Sequence, residues 1–213
     1  MPAPAIKICG VHTAEALDAV LAARADFVGF NFYPSSPRFL ALSDAPLLVR
    51  QAEGRVRKVG VFVDASDAAI GEAVAAAQLD AIQLHGSESP ERAGQLGAQF
   101  GLPVWKVIAV TTRDDLAKAE AYSGAAAFIL LDAKTPKGSL PGGMGLTFDW
   151  ALLDGWRAPL PWGLAGGLTP ANVAEAASQT GAPLVDAASG IESAPGLKDP
   201  ALIAAFCKAA RGA

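Results

Sequence analysis

Short apolar runs alternate along this chain with Ala-rich segments whose apolar positions recur at helical spacing, the pattern of βα units around a parallel sheet. Eight runs read as strands: Ala5 to Cys9, Phe27 to Phe32, Arg57 to Val63, Ala81 to Leu84, Val104 to Ile108, Ala127 to Leu131, Leu160 to Leu164 and Leu184 to Ala187. Between and after them the spacing predicts helices near residues 13–24, 44–53, 66–77, 88–99, 113–121, 148–154, 170–179 and 199–210. Thr13, Ser66, Ser87 ahead of Pro90, and Thr169-Pro170 read as caps or first-turn prolines. Eight repeats in 213 residues predict an α/β chain folded as a (β/α)₈ barrel. A doubly wound open sheet fits less well, since it has fewer strands and a Gly-rich first turn.

Composition changes this picture little. With 52% apolar residues and no low-complexity or Gly/Ser-rich run, residues 1–213 read as one domain without a linker. The longest apolar runs, such as Ala125 to Leu131, fall far short of the roughly 18 residues of a membrane span, and Met1 to Gly10 lacks a signal-peptide layout. A soluble, cytoplasmic protein with no membrane partner is expected. Cys9 and Cys207 stand in no paired motif and read as free thiols. A net charge of −4 argues against a nucleic-acid surface. It leaves room for a small anion, because helix N-termini and loop amides hold phosphate without net positive charge. His12 and His85 are the only histidines and complete no metal set, so no metal is expected.

In such barrels the chemistry sits at the C-terminal ends of the strands. The loops after strands seven and eight carry Gly166-Gly167 and Ser189-Gly190, where absent Cβ atoms would let backbone amides approach a phosphate. The alternative is that these glycines only make tight turns. At the end of strand one, Cys9 precedes Gly10 and shares its face with Lys7, whose charge would lower the thiol's pKa and yield a usable base. A buried, inert thiol is the competing reading. Asp132 closes the apolar run Phe128-Ile129-Leu130-Leu131, where desolvation would raise its pKa and suit it as a general acid; it could instead pair with Lys134 or Lys7. His85, after strand four, orients a ligand or merely packs. Arg38, after the Pro34-Ser35-Ser36-Pro37 turn, presents a fork to a carboxylate or lies solvated.

The chain resembles the phosphoribosylanthranilate isomerase family over nearly its whole length. The resemblance is carried by KICG at 7–10, GFNFYPSSPRF at 29–39, VGVFVD at 59–64, QLHG at 83–86, LLDAK at 130–134, GGMGLTFDW at 142–150, AGGLTPANV at 165–173 and VDAASGIESAPGLKDP at 185–200. It implies a cofactor-free Amadori rearrangement of N-(5-phosphoribosyl)anthranilate in tryptophan biosynthesis, with Cys9 as general base and Asp132 as general acid. It further implies that Gly166, Gly167, Ser189 and Gly190 hold the phosphate and that Arg38 faces the anthranilate end. Lys7, His85 and Asp186 are the other expected substrate contacts. A phosphorylated small molecule is thus the expected partner, and the expected assembly is a monomer or homodimer. Met144, Leu146 and Ala188 depart from the family's usual residues, and the stretch from Lys134 to Gly143 reads as a flap. Rival readings are another phosphate-binding barrel enzyme, such as a sugar-phosphate epimerase, and a non-catalytic barrel that keeps only the phosphate loops.

Overall fold

The computed structural model describes residues 2–133 and 147–212. Eight parallel strands close into a barrel in sequence order: β1 (Ala5–Cys9), β2 (Phe27–Asn31), β3 (Arg57–Phe62), β4 (Ala81–Leu84), β5 (Val104–Val110), β6 (Phe128–Ala133), β7 (Trp162–Leu164) and β8 (Leu184–Ala187). Closure is sealed by β1 pairing with β8, which sets Lys7 opposite Asp186. The helices are α1 (Ala14–Ala22), α2 (Ala45–Ala52), α3 (Asp67–Ala77), α4 (Pro90–Phe100), α5 (Val173–Thr180) and α6 (Pro200–Ala210). The lengths of strand differ from the sequence reading by a few residues. The most consequential difference is that β6 runs on to Ala133, so Asp132 belongs to the strand and not to the loop after it.

Two expected helices take another form. Residues Arg113–Tyr122 and Trp150–Leu153 are 3₁₀ helices. In the first, the Asp115 carboxylate turns back to accept from the amides of Thr111 and Thr112, and it pairs with Lys118. Two caps also move. Ser89, not Ser87, caps α4, while the amide and hydroxyl of Ser87 donate to Asp64. The α5 helix begins only at Val173, because Asn172 ties the preceding turn by accepting from the Thr169 amide and donating to the Gly167 carbonyl. A hairpin that the pattern did not announce, β9 (Glu192–Ala194) and β10 (Leu197–Lys198), stands between β8 and α6.

Most of the buried apolar side chains lie between the strands and the helical shell. A second cluster, including Phe27, Val59, Ala81, Trp105, Val107, Leu130 and Leu184, fills the barrel itself. Phe27 and Phe128 flank Trp105 with ring centroids 5.1 and 4.5 Å away, plugging the N-terminal end. Every second residue of a strand faces inward. Two residues above Ala81 comes Gln83, and two above Leu130 comes Asp132; the same step leads from Leu184 to Asp186. The interior therefore changes from apolar to polar toward the C-terminal ends, and that gradient positions the site.

Candidate active site

At the polar end one pocket is lined by Cys9, Arg38, His85, Asp132 and Asp186 together with Gly166, Gly167, Ser189 and Gly190. Nine of the ten residues singled out from the sequence thus meet in a single cavity. The exception is Lys7, whose side chain is 0% exposed and lies beneath the pocket floor.

Lys7 donates to Asp186 Oδ2 at 2.8 Å, and its charge also acts on the Cys9 thiol. Burial opposes its charge, but Asp186 and Cys9 outweigh that and hold its pKa above the ordinary lysine value. The effect on Cys9 is the reverse of the one expected. Burial pushes the thiol up, Lys7 pulls it down, Asp186 pushes it up again, and the net direction is upward. One cation serves two acids, and burial raises the pKa of Asp186 as well. The buried Asp186 Oδ1 atom has no hydrogen-bond partner among the described residues.

Asp132 pairs with neither Lys7 nor any other described cation; Lys134, its other expected partner, lies outside the described residues. Its Oδ2 atom instead stands 3.4 Å from His85 Nε2. His85 in turn is carried on a loop that is held from behind. Glu88 accepts the amides of Gly86 and Asp64, and the buried Lys106 ammonium donates to Glu88 at 2.9 Å and to the Gly86 carbonyl at 2.6 Å. Lys106 alternates with the inward-facing Trp105 and Val107, which sends it out to the strand–helix layer.

At the loop after β8, Gly190 is glycine for a reason of packing. A Cβ there would stand 2.0 Å from the Leu168 carbonyl oxygen, so the close contact between the two loops alone forbids a side chain. Ala188 lines the cavity, and its carbonyl accepts from Lys198. Met144, Leu146 and the stretch from Lys134 to Gly143 lie outside the described residues.

Sequence reasoning missed Gln83, Glu192 and Lys198. Gln83 is buried at the pocket wall, with Oε1 lacking a partner among the described residues. Its place two residues before His85 on one strand was the available signal. Glu192 takes the Arg38 fork at 2.7 Å on both oxygens and accepts from Lys198, contacts that span 154 and 6 residues of chain. Among the described residues no cluster of His, Cys, Asp and Glu could hold a metal, and no helix is long and apolar enough to cross a membrane.

The model of the N-(5'-phosphoribosyl)anthranilate (PRA) isomerase family matches residues 6–209. The N-(5'-phosphoribosyl)anthranilate isomerase of Paramagnetospirillum magneticum is 50% identical over 208 residues, covering 97% of each chain. The crystal structure of phosphoribosyl anthranilate isomerase from Thermotoga maritima superposes with a TM-score of 0.89 at 36% identity, over 99% of this chain and 100% of that one. Another structure of such an isomerase, in complex with reduced 1-(o-carboxyphenylamino)-1-deoxyribulose 5-phosphate, has a TM-score of 0.86 at 33% identity, again over 99% and 100%. An eight-stranded barrel with this pocket, matched over nearly its whole length, is a member of the phosphoribosylanthranilate isomerase family of enzymes.

Proposed function

We propose that this chain isomerises N-(5'-phosphoribosyl)anthranilate to 1-(2-carboxyphenylamino)-1-deoxyribulose 5-phosphate in tryptophan biosynthesis, with Cys9 as general base and Asp132 as general acid. One observation carries the reading: a thiol ending β1 and a carboxylate near the end of β6 line one pocket with the glycine loops after β7 and β8. Acid and base stand on strands separated by β7 and β8, so they reach a bound sugar from different sides.

In this reading the amides of Gly166, Gly167, Ser189 and Gly190 hold the phosphate. Asp132 gives its proton to the furanose ring oxygen as the C1–O bond breaks, and the anilino nitrogen's lone pair forms the Schiff base. The Cys9 thiolate then removes the C2 proton, and the electrons of that C–H bond move toward the iminium to give an enolamine. Tautomerisation returns a proton to C1 and leaves the ketone at C2. Burial makes the Cys9 thiolate scarce at neutral pH and a stronger base once formed, and the Lys7 ammonium at its side sustains the charge. Arg38 meets the anthranilate carboxylate, while His85 keeps the Asp132 carboxyl aimed at the sugar.

The test is turnover of freshly prepared phosphoribosylanthranilate, followed by the loss of its anthranilate-type fluorescence. Steady conversion to the carboxyphenylamino ketose is expected. A folded protein that leaves this substrate unchanged would refute the assignment.

A further inference from the structure

Three charged side chains beside the pocket, Arg38, Glu192 and Lys198, are buried together, and of these only Arg38 has a part in the reading above. Glu192 is 4% exposed and Lys198 1% exposed at their side chains, and Arg38 is nearly as well covered. Glu192 Oε1 accepts from Arg38 Nε at 2.7 Å and from Lys198 Nζ at 2.5 Å. Its Oε2 accepts from Arg38 Nη2 at 2.7 Å and from the Gly196 amide at 3.2 Å. All the hydrogen-bonding capacity of the carboxylate is thus spent within the hairpin and on Arg38. Burial opposes the Glu192 charge, yet the contacts with Arg38 and Lys198 keep its pKa below the ordinary glutamate value.

Arg38 is also constrained on its other flank. Gly10 has φ of +76°, and a Cβ there would stand 2.5 Å from Arg38 Cδ, so the arginine's stem lies directly on the backbone beside Cys9. Lys198 extends the network inward by donating to the Ala188 carbonyl at 2.9 Å, next to Ser189 and Gly190. Isolating three ions from water is costly and is a poor way to stabilise a fold, which points to a use at the pocket.

We propose that Glu192 and Lys198 are positioning residues: the β9–β10 hairpin fixes the Arg38 guanidinium at the pocket wall, ready for the carboxylate of the aromatic substrate, and couples it to the phosphate loop through the Ala188 carbonyl. The proposal rests on the reading that Arg38 meets that carboxylate. Two of the guanidinium's N–H groups are committed to Glu192, and their purpose is orientation: a guanidinium whose plane is fixed loses less rotamer entropy on meeting a ligand. The hairpin is therefore a specificity element for the carboxylated aromatic ring, and not for the ribose phosphate.

The experiment compares two inhibitors on the parent protein and on Arg38→Met, Glu192→Gln, Lys198→Met and Lys198→Arg. One inhibitor is reduced 1-(o-carboxyphenylamino)-1-deoxyribulose 5-phosphate; the other is the same molecule without the ring carboxylate. Calorimetry gives the affinity ratio between them, and circular dichroism checks the fold. In the parent the carboxylated inhibitor should bind at least about tenfold more tightly, the order of one charge-assisted hydrogen bond. That preference should vanish in Arg38→Met and fall severalfold in Glu192→Gln and Lys198→Met, the ratio between the two inhibitors being the readout because Lys198→Met also loosens the Ala188 carbonyl and can weaken both. Lys198→Arg should recover part of it. Persistence of the preference in Arg38→Met would refute the role of Arg38 itself. Its loss in Arg38→Met but full retention in folded Glu192→Gln and Lys198→Met would leave Arg38 in place and overturn the positioning role. Tighter binding of the carboxylated inhibitor to Glu192→Gln would also overturn it, because Glu192 would then be a competitor for the guanidinium.

Discussion

Gly166 offers the sharpest test of how the loop proposed to hold the phosphate and the proposed acid Asp132 share space. Its φ is +85°, and a Cβ built there would stand 2.6 Å from the Ala133 amide nitrogen and 2.9 Å from Asp132 Oδ1. Both contacts are to β6, so Gly166→Ala must either push the loop away from the strand or displace the Asp132 carboxyl. The backbone strain of a side chain at such a φ costs about 1–2 kcal/mol, and relieving the overlap adds about 1–3 kcal/mol in a packed site. The sum of roughly 2–5 kcal/mol corresponds to a fall in Tm of roughly 4–20 °C for a domain of this size. Gly54→Ala separates the two contributions, because Gly54 has φ of +69° and nothing within 4 Å of its added Cβ. It should lose about 1–2 kcal/mol and no activity. Urea titration gives the stabilities, and steady-state turnover of phosphoribosylanthranilate gives kcat and KM. For Gly166→Ala both parameters should worsen, KM through the phosphate loop and kcat through the displaced acid. Should Gly166→Ala match Gly54→Ala in stability and keep the parent's kcat, the close approach to Asp132 is not what demands glycine there.

The acid and base roles predict that Cys9→Ala and Asp132→Asn each lower kcat by about 10² to 10⁴-fold with the fold retained by circular dichroism, and near-parent kcat in either variant refutes that role. Because burial holds the Cys9 thiol above its ordinary value, the rise of kcat/KM with pH should continue beyond the usual thiol range, and Lys7→Met, which removes the counteracting cation, should move that limb still higher; a limb that moves down reverses the electrostatic argument. Cys207, 1% exposed in α6, should resist iodoacetamide under conditions where Cys9, which opens into the pocket, is alkylated with loss of activity, and mass spectrometry finding the inactivating adduct on Cys207 refutes the distinction. Lys106→Met, which strands the buried Glu88 carboxylate, should cost about 3–5 kcal/mol by urea titration, whereas a loss within the error of the parent would mean the pair is not a structural anchor.

Much of the barrel was legible because its strands and helices obey local periods. The four residues of β4 and the five of β1 coincide with their apolar runs, and the Thr13 and Ser66 caps donate no surprise. Departures occur where a side chain bonds beyond its own turn. Ser87 was read as a cap from its place before Pro90, yet Asp64 on the preceding loop claims it and the capping falls to Ser89. Asn172 likewise consumes the first turn that Pro170 was expected to start. The pocket residues were findable because chemistry in this fold collects at strand ends, which reduces the search to a few polar positions following apolar runs.

What the sequence could not supply is the electrostatics of those positions, and Cys9 shows why. The two-residue period of β1 places Lys7 beside Cys9, and from that neighbour alone a lowered thiol pKa follows. Closing the barrel brings β8 against β1, and Asp186, 179 residues away, takes the ammonium at 2.8 Å. The cation is then shared between two acids inside a cavity that also desolvates the thiol, and the sign of the shift reverses. Arg38 repeats the lesson at the other wall: its fork was expected to await a ligand or water, but Glu192, 154 residues on, holds it. A local pattern reports which side chains face the interior; only the ring's closure decides which charges they share it with.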